Sequence, residues 1–495
     1  MVSKEKIIKF KNSIHLPYWL LGLLVVIFIL RIPSFFEPFS YGDELIYLTL
    51  GHGVRQGVPL YSGLHDNKPP LLYLLAALAG NVFWFKAILA AWSIATILVF
   101  WKLVRVLFPK NNPLHIVSTI IFALATTLPR LEGNIANAEL FMIAPTMLAF
   151  IILLSKKLTP KWLLLAGILF SFAALFKIPA AFEVPVIVVF WLFTQKLNKN
   201  NIKNVAINTF YIGIGFLIPI IITFIWYGLH GAFYEYLVAA FLQNVGYLSS
   251  WRPSDTQLPF LVKNGPLLTR GLVILMGLIL LLWKRKKLSK PFIFTTIWLL
   301  FALFGVTLSE RPYPHYLIQA IPAVSILFGI LTTDKTILQV VSIIPLSLAF
   351  LVPTYYNFWY YPTISYYTKF VEFATGKMSK PEYFNTFNGN LNRDYKISQF
   401  VTGVTSVGDG VFVWGDGVPI YAMSRRLPPI KYVADYHIKD FSTKEEVLNA
   451  LVLNPPELIV ILPRSDDFDS LNHFINDNYI LLTKIDTAEI WKLLN

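Results

Sequence analysis

Over the first 350 residues, long apolar runs alternate with short polar stretches. Most runs are near the ~20 residues that a helix needs to cross ~30 Å of hydrocarbon, and some are shorter. Eleven runs are predicted as spans, at residues 16–32, 81–107, 114–128, 139–154, 162–176, 179–193, 205–229, 267–283, 292–308, 316–331 and 336–352. The basic residues give these spans a direction. Lys4, Lys6, Lys9 and Lys11 precede the first run, Lys102, Arg105 and Lys110 close the second, and Lys156, Lys157 and Lys161 follow the fourth. A basic, Asn-rich linker at 196–204 follows the sixth, and Lys284-Arg285-Lys286-Lys287 ends the eighth. Every cluster falls at the same end of the alternation, which predicts a cytoplasmic N-terminus and an outward-facing segment after the last span. The first run lacks a small-residue cleavage site and is read as a retained span, not a removed signal.

The pattern changes after residue 353. Residues 354–391 read as an aromatic-rich interfacial linker, with Tyr355 to Tyr367 at the headgroup level. Residues 392–495 read as a soluble, extracytoplasmic α/β unit. Residues 410–414 and 458–462 look like buried strands, 443–453 has helical periodicity, and 479–484 with 489–493 forms a closing hairpin. No repeat of fixed period is visible. The predicted fold is therefore a polytopic α-helical membrane protein of about eleven transmembrane helices (residues 1–353, first outer loop 33–80 with short interfacial helices) carrying a C-terminal α/β domain.

Composition agrees. The 495 residues are 56% hydrophobic and 14% charged, against about 25% charged in soluble proteins. The net charge of +14 does not point to nucleic acid, because the basic residues lie between apolar runs. The chain has no cysteine, which excludes disulfides, thiolate metal sites and cysteine nucleophiles.

The candidate chemistry lies on the predicted outer face. Asp43-Glu44 follow the first span, Lys68-Pro69-Pro70 open the next apolar run, Glu139 starts the fourth span, and Arg311, His315 and Tyr316 lie between the ninth and tenth. Ionisable groups beside a bilayer are costly and mark substrate paths or sites. Each also has a plain structural role to weigh. Asp-Glu in a first helical turn favours the helix dipole, Lys68 can snorkel, Glu139 opens a helix, and His315 can anchor at the interface.

Taken together the segments resemble a family. Asp43-Glu44, then Gly57-Val58-Pro59-Leu60-Tyr61, then His65-Asp66-Asn67-Lys68-Pro69-Pro70-Leu71 resemble the first outer loop of polyprenyl-phosphate-dependent glycosyltransferases of the GT-C fold. That family includes protein O-mannosyltransferases and the lipid A aminoarabinose transferase. Residues 133–139 and 311–319 are also similar to segments of its bacterial-type members. The resemblance covers roughly residues 16–331. It implies an inverting transfer of a sugar from a polyprenyl-phosphate donor to a hydroxyl or amine of a protein, lipid or glycan acceptor, at the outer face of the cytoplasmic membrane. It assigns Asp43 as general base, with Glu44 sharing that role or positioning the acceptor, and Glu139 orienting acceptor or donor. Lys68 would hold the donor phosphate, with Arg311, His315 and Tyr316 as further candidates. Catalysis without metal is expected, although Asp43, Glu44, Glu139 and His315 leave room for a divalent cation. The alternatives are a secondary transporter, disfavoured by the lack of repeats, an oligosaccharyltransferase or ligase with a larger donor, and a non-catalytic scaffold.

Overall fold

A computed structural model describes residues 16–196, 198–246 and 259–494. The lysines at positions 4 to 11 and the Trp251-Arg252-Pro253 segment, expected in an outer loop, lie outside the described residues. Each of the eleven expected spans has a helix. Seven are long and apolar enough to cross a membrane: Tyr18–Phe36, Val82–Leu107, Ala138–Ser155, Lys199–Leu229, Phe260–Lys284, Lys290–Thr307 and Ile337–Tyr355. The other four are shorter apolar helices, Asn112–Ala125, Pro160–Phe176, Ile178–Thr194 and Ile321–Thr333.

The helix Ile321–Thr333 has 13 residues and so reaches only about 20 Å. The 3-10 turn Pro314–Gln319 extends it, and that turn is largely buried in protein. Irregular backbone at membrane depth is tolerated where protein covers it. Three of the long helices start where a side chain accepts an orphan amide. Asn81 accepts the Trp84 N–H at 2.9 Å, Asn198 the Asn201 N–H at 2.8 Å, and Ser289 the Phe292 N–H at 3.3 Å, as N-caps should.

Between the first two long helices lie two shorter ones, Gly42–Arg55 and Leu71–Ala79. They were expected to rest in the interface. The first is instead enclosed, with every residue from Glu44 to Gly53 buried. Gly51 lets it touch its neighbour backbone to backbone, since a Cβ there would come within 2.5 Å of the Ala77 nitrogen. Its other side is covered by the C-terminal unit, whose helix Val418–Ser424 packs against it.

That unit holds a four-stranded sheet in the order β1-β2-β4-β3, from β1 (Val411–Trp414), β2 (Leu458–Ile461), β3 (Tyr479–Ile485) and β4 (Ala488–Leu493). β1 and β2 are parallel, in register from Val411 opposite Leu458, and β4 runs antiparallel to both β2 and β3. Strand alternation splits the sheet's side chains between two cores. Phe412, Trp414 and Ile459 pack with Leu471, Ile475 and Tyr479 on one face. Val411, Val413, Val460 and Ile490 belong to the other face, whose core is continuous with that of the helical bundle. The segment between the last span and the sheet forms the helices Thr363–Ala374, Lys380–Asn385 and Leu391–Val404.

Candidate functional site

A cavity of about 740 Å³ opens where the loops at one end of the bundle meet the C-terminal unit. Its volume falls in the range of small-molecule sites, about 300–1,000 Å³. Of the seven residues singled out from the sequence, Asp43, Lys68, Glu139, Arg311, His315 and Tyr316 line it. Glu44 does not.

Asp43 and Glu44 occupy the first turn of the Gly42–Arg55 helix, where the dipole favours negative charge. Neighbours on a helix point about 100° apart, so the pair divides. Asp43 faces the cavity and accepts a hydrogen bond from the Tyr47 hydroxyl, one turn on, at 3.3 Å. Glu44 turns inward and is 2% exposed. Its carboxylate lies 2.9 Å from the Lys86 ammonium and accepts the Ala136 N–H at 3.0 Å. Burial, with the nearby charge of Glu37, raises the Glu44 carboxyl above its ordinary value, against the pull of Lys86. Glu44, read from the sequence as sharing the base role or positioning the acceptor, thus points away from the cavity and into the buried network around Lys86.

Lys86 binds a second carboxylate, Glu37, at 2.8 Å and donates to the Asn134 carbonyl at 2.9 Å. Asn134 donates to Glu37 at 2.7 Å, and the Tyr366 hydroxyl donates to Glu37 as well. This network ties the Gly42–Arg55 helix, the 129–138 loop and the segment after the last span to one helix. The loop is also fixed by Arg31, whose guanidinium donates to the carbonyls of Gly133 at 3.0 Å and Thr126 at 3.1 Å.

Lys68 is presented on a turn held from both sides of its own backbone. Its carbonyl accepts the Tyr61 hydroxyl at 3.0 Å, and its N–H donates to the Tyr73 hydroxyl at 3.1 Å. The ammonium lies 3.6 Å from Asp66 and 5.1 Å from the centre of the Tyr47 ring. Burial alone would raise the Asp66 carboxyl, but Lys68, His437 and the Asn67 N–H outweigh it and hold it below its ordinary value.

The opposite wall is a relay of paired groups. Glu132 has a left-handed backbone, φ 58°. It accepts from Tyr41 at 2.6 Å, from Asn137 at 3.0 Å, and from Nδ1 of His315. Nε2 of His315 faces Glu139 at 3.9 Å. Glu139 is ion-paired with Lys177, whose ammonium lies 3.6 Å from the centre of the Tyr316 ring. Arg311 is exposed at the cavity rim.

Several residues here were not anticipated. Lys177 was visible only as a lone lysine in a turn between two apolar runs, and Lys86 lies inside a span. Tyr436, His437, Asp440 and Phe441 of the C-terminal unit also line the cavity, as do Trp359 and Tyr361, expected at the headgroup level. Nothing local in the sequence announces those contacts. Among the described residues, no group of three or more His, Asp or Glu side chains is arranged to hold a metal ion. Glu44, one of the four ligands considered, is engaged by Lys86 and does not line the cavity.

No protein-family model matches the chain, and no curated protein matches it. Solved structures do. ArnT from Cupriavidus metallidurans bound to undecaprenyl phosphate superposes with a TM-score of 0.57 at 12% identity, over 96% of this chain and 97% of that one. The same protein in the apo state gives 0.55 at 13% identity, with the same coverage. AglB from Archaeoglobus fulgidus, an oligosaccharyltransferase in complex with an inhibitory peptide and a dolichol-phosphate, gives 0.46 at 14% identity, over 90% of this chain and 69% of that one. At such identities the ArnT likeness is one of architecture across nearly the whole length of both chains: this chain has the GT-C fold.

Proposed function

We propose that the chain is an integral-membrane, inverting glycosyltransferase that takes a sugar from a polyprenyl-phosphate donor and transfers it to an acceptor hydroxyl or amine at the outer face of the cytoplasmic membrane. The observation that carries this reading is a single cavity with an acid at a helix N-terminus and a lysine on a stiffened turn, Asp43 and Lys68. The shared fold supports it, because an ArnT structure with that architecture holds undecaprenyl phosphate.

In this reading Asp43 removes the proton from the acceptor as its oxygen or nitrogen attacks the anomeric carbon. The new glycosidic bond forms as the bond from that carbon to the phosphate oxygen breaks, and polyprenyl phosphate leaves with the electron pair. Negative charge grows on the phosphate in the transition state, where a preformed cation contributes most. Lys68 supplies that cation, and a charge-assisted contact of this kind contributes about 1.5–3 kcal/mol. Arg311, at the rim, is the second cation candidate. Glu139 is held by Lys177 and His315, which suits a group that orients the acceptor more than one that takes a proton. Sugar rings present C–H faces to aromatic side chains, and Trp359, Tyr361, Tyr313 and Tyr436 border the same space.

The test is a donor screen. Purified protein in nanodiscs is given a panel of polyprenyl-phosphate sugars with simple alcohol and amine acceptors, and released polyprenyl phosphate is measured. Release that requires both donor and acceptor, and is lost in Asp43→Asn, supports the reading. Solute movement across vesicles without any covalent product would replace it with transport, and release only from lipid-linked oligosaccharides would point to an oligosaccharyltransferase.

A further inference from the structure

Among the residues by which the C-terminal unit reaches the cavity is a titratable one, His437, that the reaction above does not use. Asp66 is 1% exposed and His437 is 3% exposed, yet they come from segments at opposite ends of the chain. Oδ1 of Asp66 accepts the Asn67 N–H at 2.7 Å and faces Nε2 of His437 at 3.6 Å. Oδ2 faces the Lys68 ammonium at 3.6 Å, and the Tyr73 hydroxyl is a further donor beside the same carboxylate. One buried carboxylate therefore stands between an imidazole of the C-terminal unit and the lysine of the first loop.

The contact is built, not incidental. The His65 N–H donates to the Lys431 carbonyl at 2.7 Å, stitching the loop to the C-terminal unit. The His65 ring meets Tyr432 and Phe441 edge-on, with centroids 5.3 and 5.1 Å away. The His437 ring is held against Tyr436 at 4.4 Å, and its Nδ1 makes no hydrogen bond. Asp43 and Asp440 are the other acidic groups close enough to influence His437.

We infer that His437 is a positioning residue of the donor-phosphate site: it shares the Asp66 carboxylate with Lys68 and so sets how strongly Asp66 competes with a phosphate for the lysine's ammonium. The physical argument is one of divided charge. In a wall of low dielectric, a carboxylate with few donors binds its nearest cation more tightly. An N–H dipole on the second oxygen takes part of that charge. Without His437, Asp66 would draw the ammonium towards itself and away from an incoming phosphate. The C-terminal unit then belongs to the donor site. The inference rests on the reading of Lys68 as the phosphate-binding group.

The experiment titrates full-length protein in nanodiscs with undecaprenyl phosphate as probe, and records the thermal midpoint of each variant. His437→Phe keeps a ring in the packing but removes the nitrogen facing Asp66, and is expected to weaken binding about 3–10-fold, as coupled neighbours do. His437→Gln, which offers an amide N–H to Asp66 in the imidazole's place, should bind within about twofold of wild type. With Asp66→Asn already present, His437→Phe should have no further effect, because the carboxylate it acts through is gone. A role in packing alone would give equal losses in both backgrounds and no rescue by glutamine, and either result overturns the inference. Wild-type binding by His437→Phe overturns it too, provided Lys68→Ala binds weakly. Wild-type binding by Lys68→Ala would instead sink the assignment of Lys68 itself.

Discussion

Replacing Lys86 by methionine isolates what the buried network beneath the site is worth. The lysine side chain is fully enclosed and bridges Glu37 at 2.8 Å and Glu44 at 2.9 Å. Methionine fills much the same volume, so the dominant loss is electrostatic: two carboxylates stay buried without their shared cation. Removing one partner of a buried ion pair costs about 3–5 kcal/mol. At roughly 2.1 cal/mol/K of unfolding entropy per residue, that cost lowers the midpoint of a 495-residue chain by about 3–5 °C. The assay is thermal denaturation in one detergent, followed by loss of the monodisperse peak. Lys102→Met on the same helix is the control, since Lys102 is exposed and surface changes stay within about 0.5 kcal/mol. The sign with pH is fixed by Glu44, whose carboxyl is already raised above its ordinary 4.5. A carboxyl raised by folding weighs against the folded state once pH exceeds its unfolded value, and the penalty is complete above its folded value. The Lys86→Met deficit should therefore shrink as pH is lowered through that window. Adding Glu44→Gln should recover part of the loss at neutral pH. A Lys86→Met protein as stable as the Lys102→Met control would refute the reasoning.

Other expectations follow from the same geometry. Asp43→Asn should slow release of polyprenyl phosphate by about 10²–10⁴-fold with probe binding near wild type; a loss of only a few-fold would move the base to Glu139. Glu44→Gln should instead leave turnover within about tenfold of wild type, since its carboxylate does not face the cavity; a loss as deep as that of Asp43→Asn would give Glu44 a direct role. Lys68→Arg should recover only part of the donor binding lost in Lys68→Ala, because a planar fork does not replace a point charge on a short turn; full recovery in titrations would show that charge alone matters there. Gly51→Leu should abolish monodisperse expression, since its Cβ would lie 2.5 Å from backbone that cannot give way; normal expression would show that the two loop helices can separate.

The helical architecture was legible because its signal is local. Apolar runs mark the spans, and the four strands of the C-terminal sheet stood out as short apolar segments between polar ones. The site was legible in part for a different reason: six polar residues fell at ends of spans that the charge pattern placed on one side. What a single sequence could not supply was direction. Asp43 and Glu44 are adjacent and chemically alike, and only the presence of Lys86 behind one of them decides which faces the cavity. Lys86 itself vanishes in the average over an apolar run. His437 and Asp440 carry no local mark at all, because their place depends on how a distant sheet settles on the Gly42–Arg55 helix.

That helix also has a consequence for how the protein comes into being. Its residues are synthesised just after the first span, but one of the two surfaces that cover it belongs to the Val418–Ser424 helix, made after the whole bundle. Until then the Leu45–Gly53 stretch has a partner on one side only. Domains near the N-terminus usually fold first as a chain emerges, and here the segment bearing Asp43 has to wait. A ribosome-bound intermediate with every span inserted would still lack the part of the cavity lining that Tyr436, His437, Asp440 and Phe441 supply.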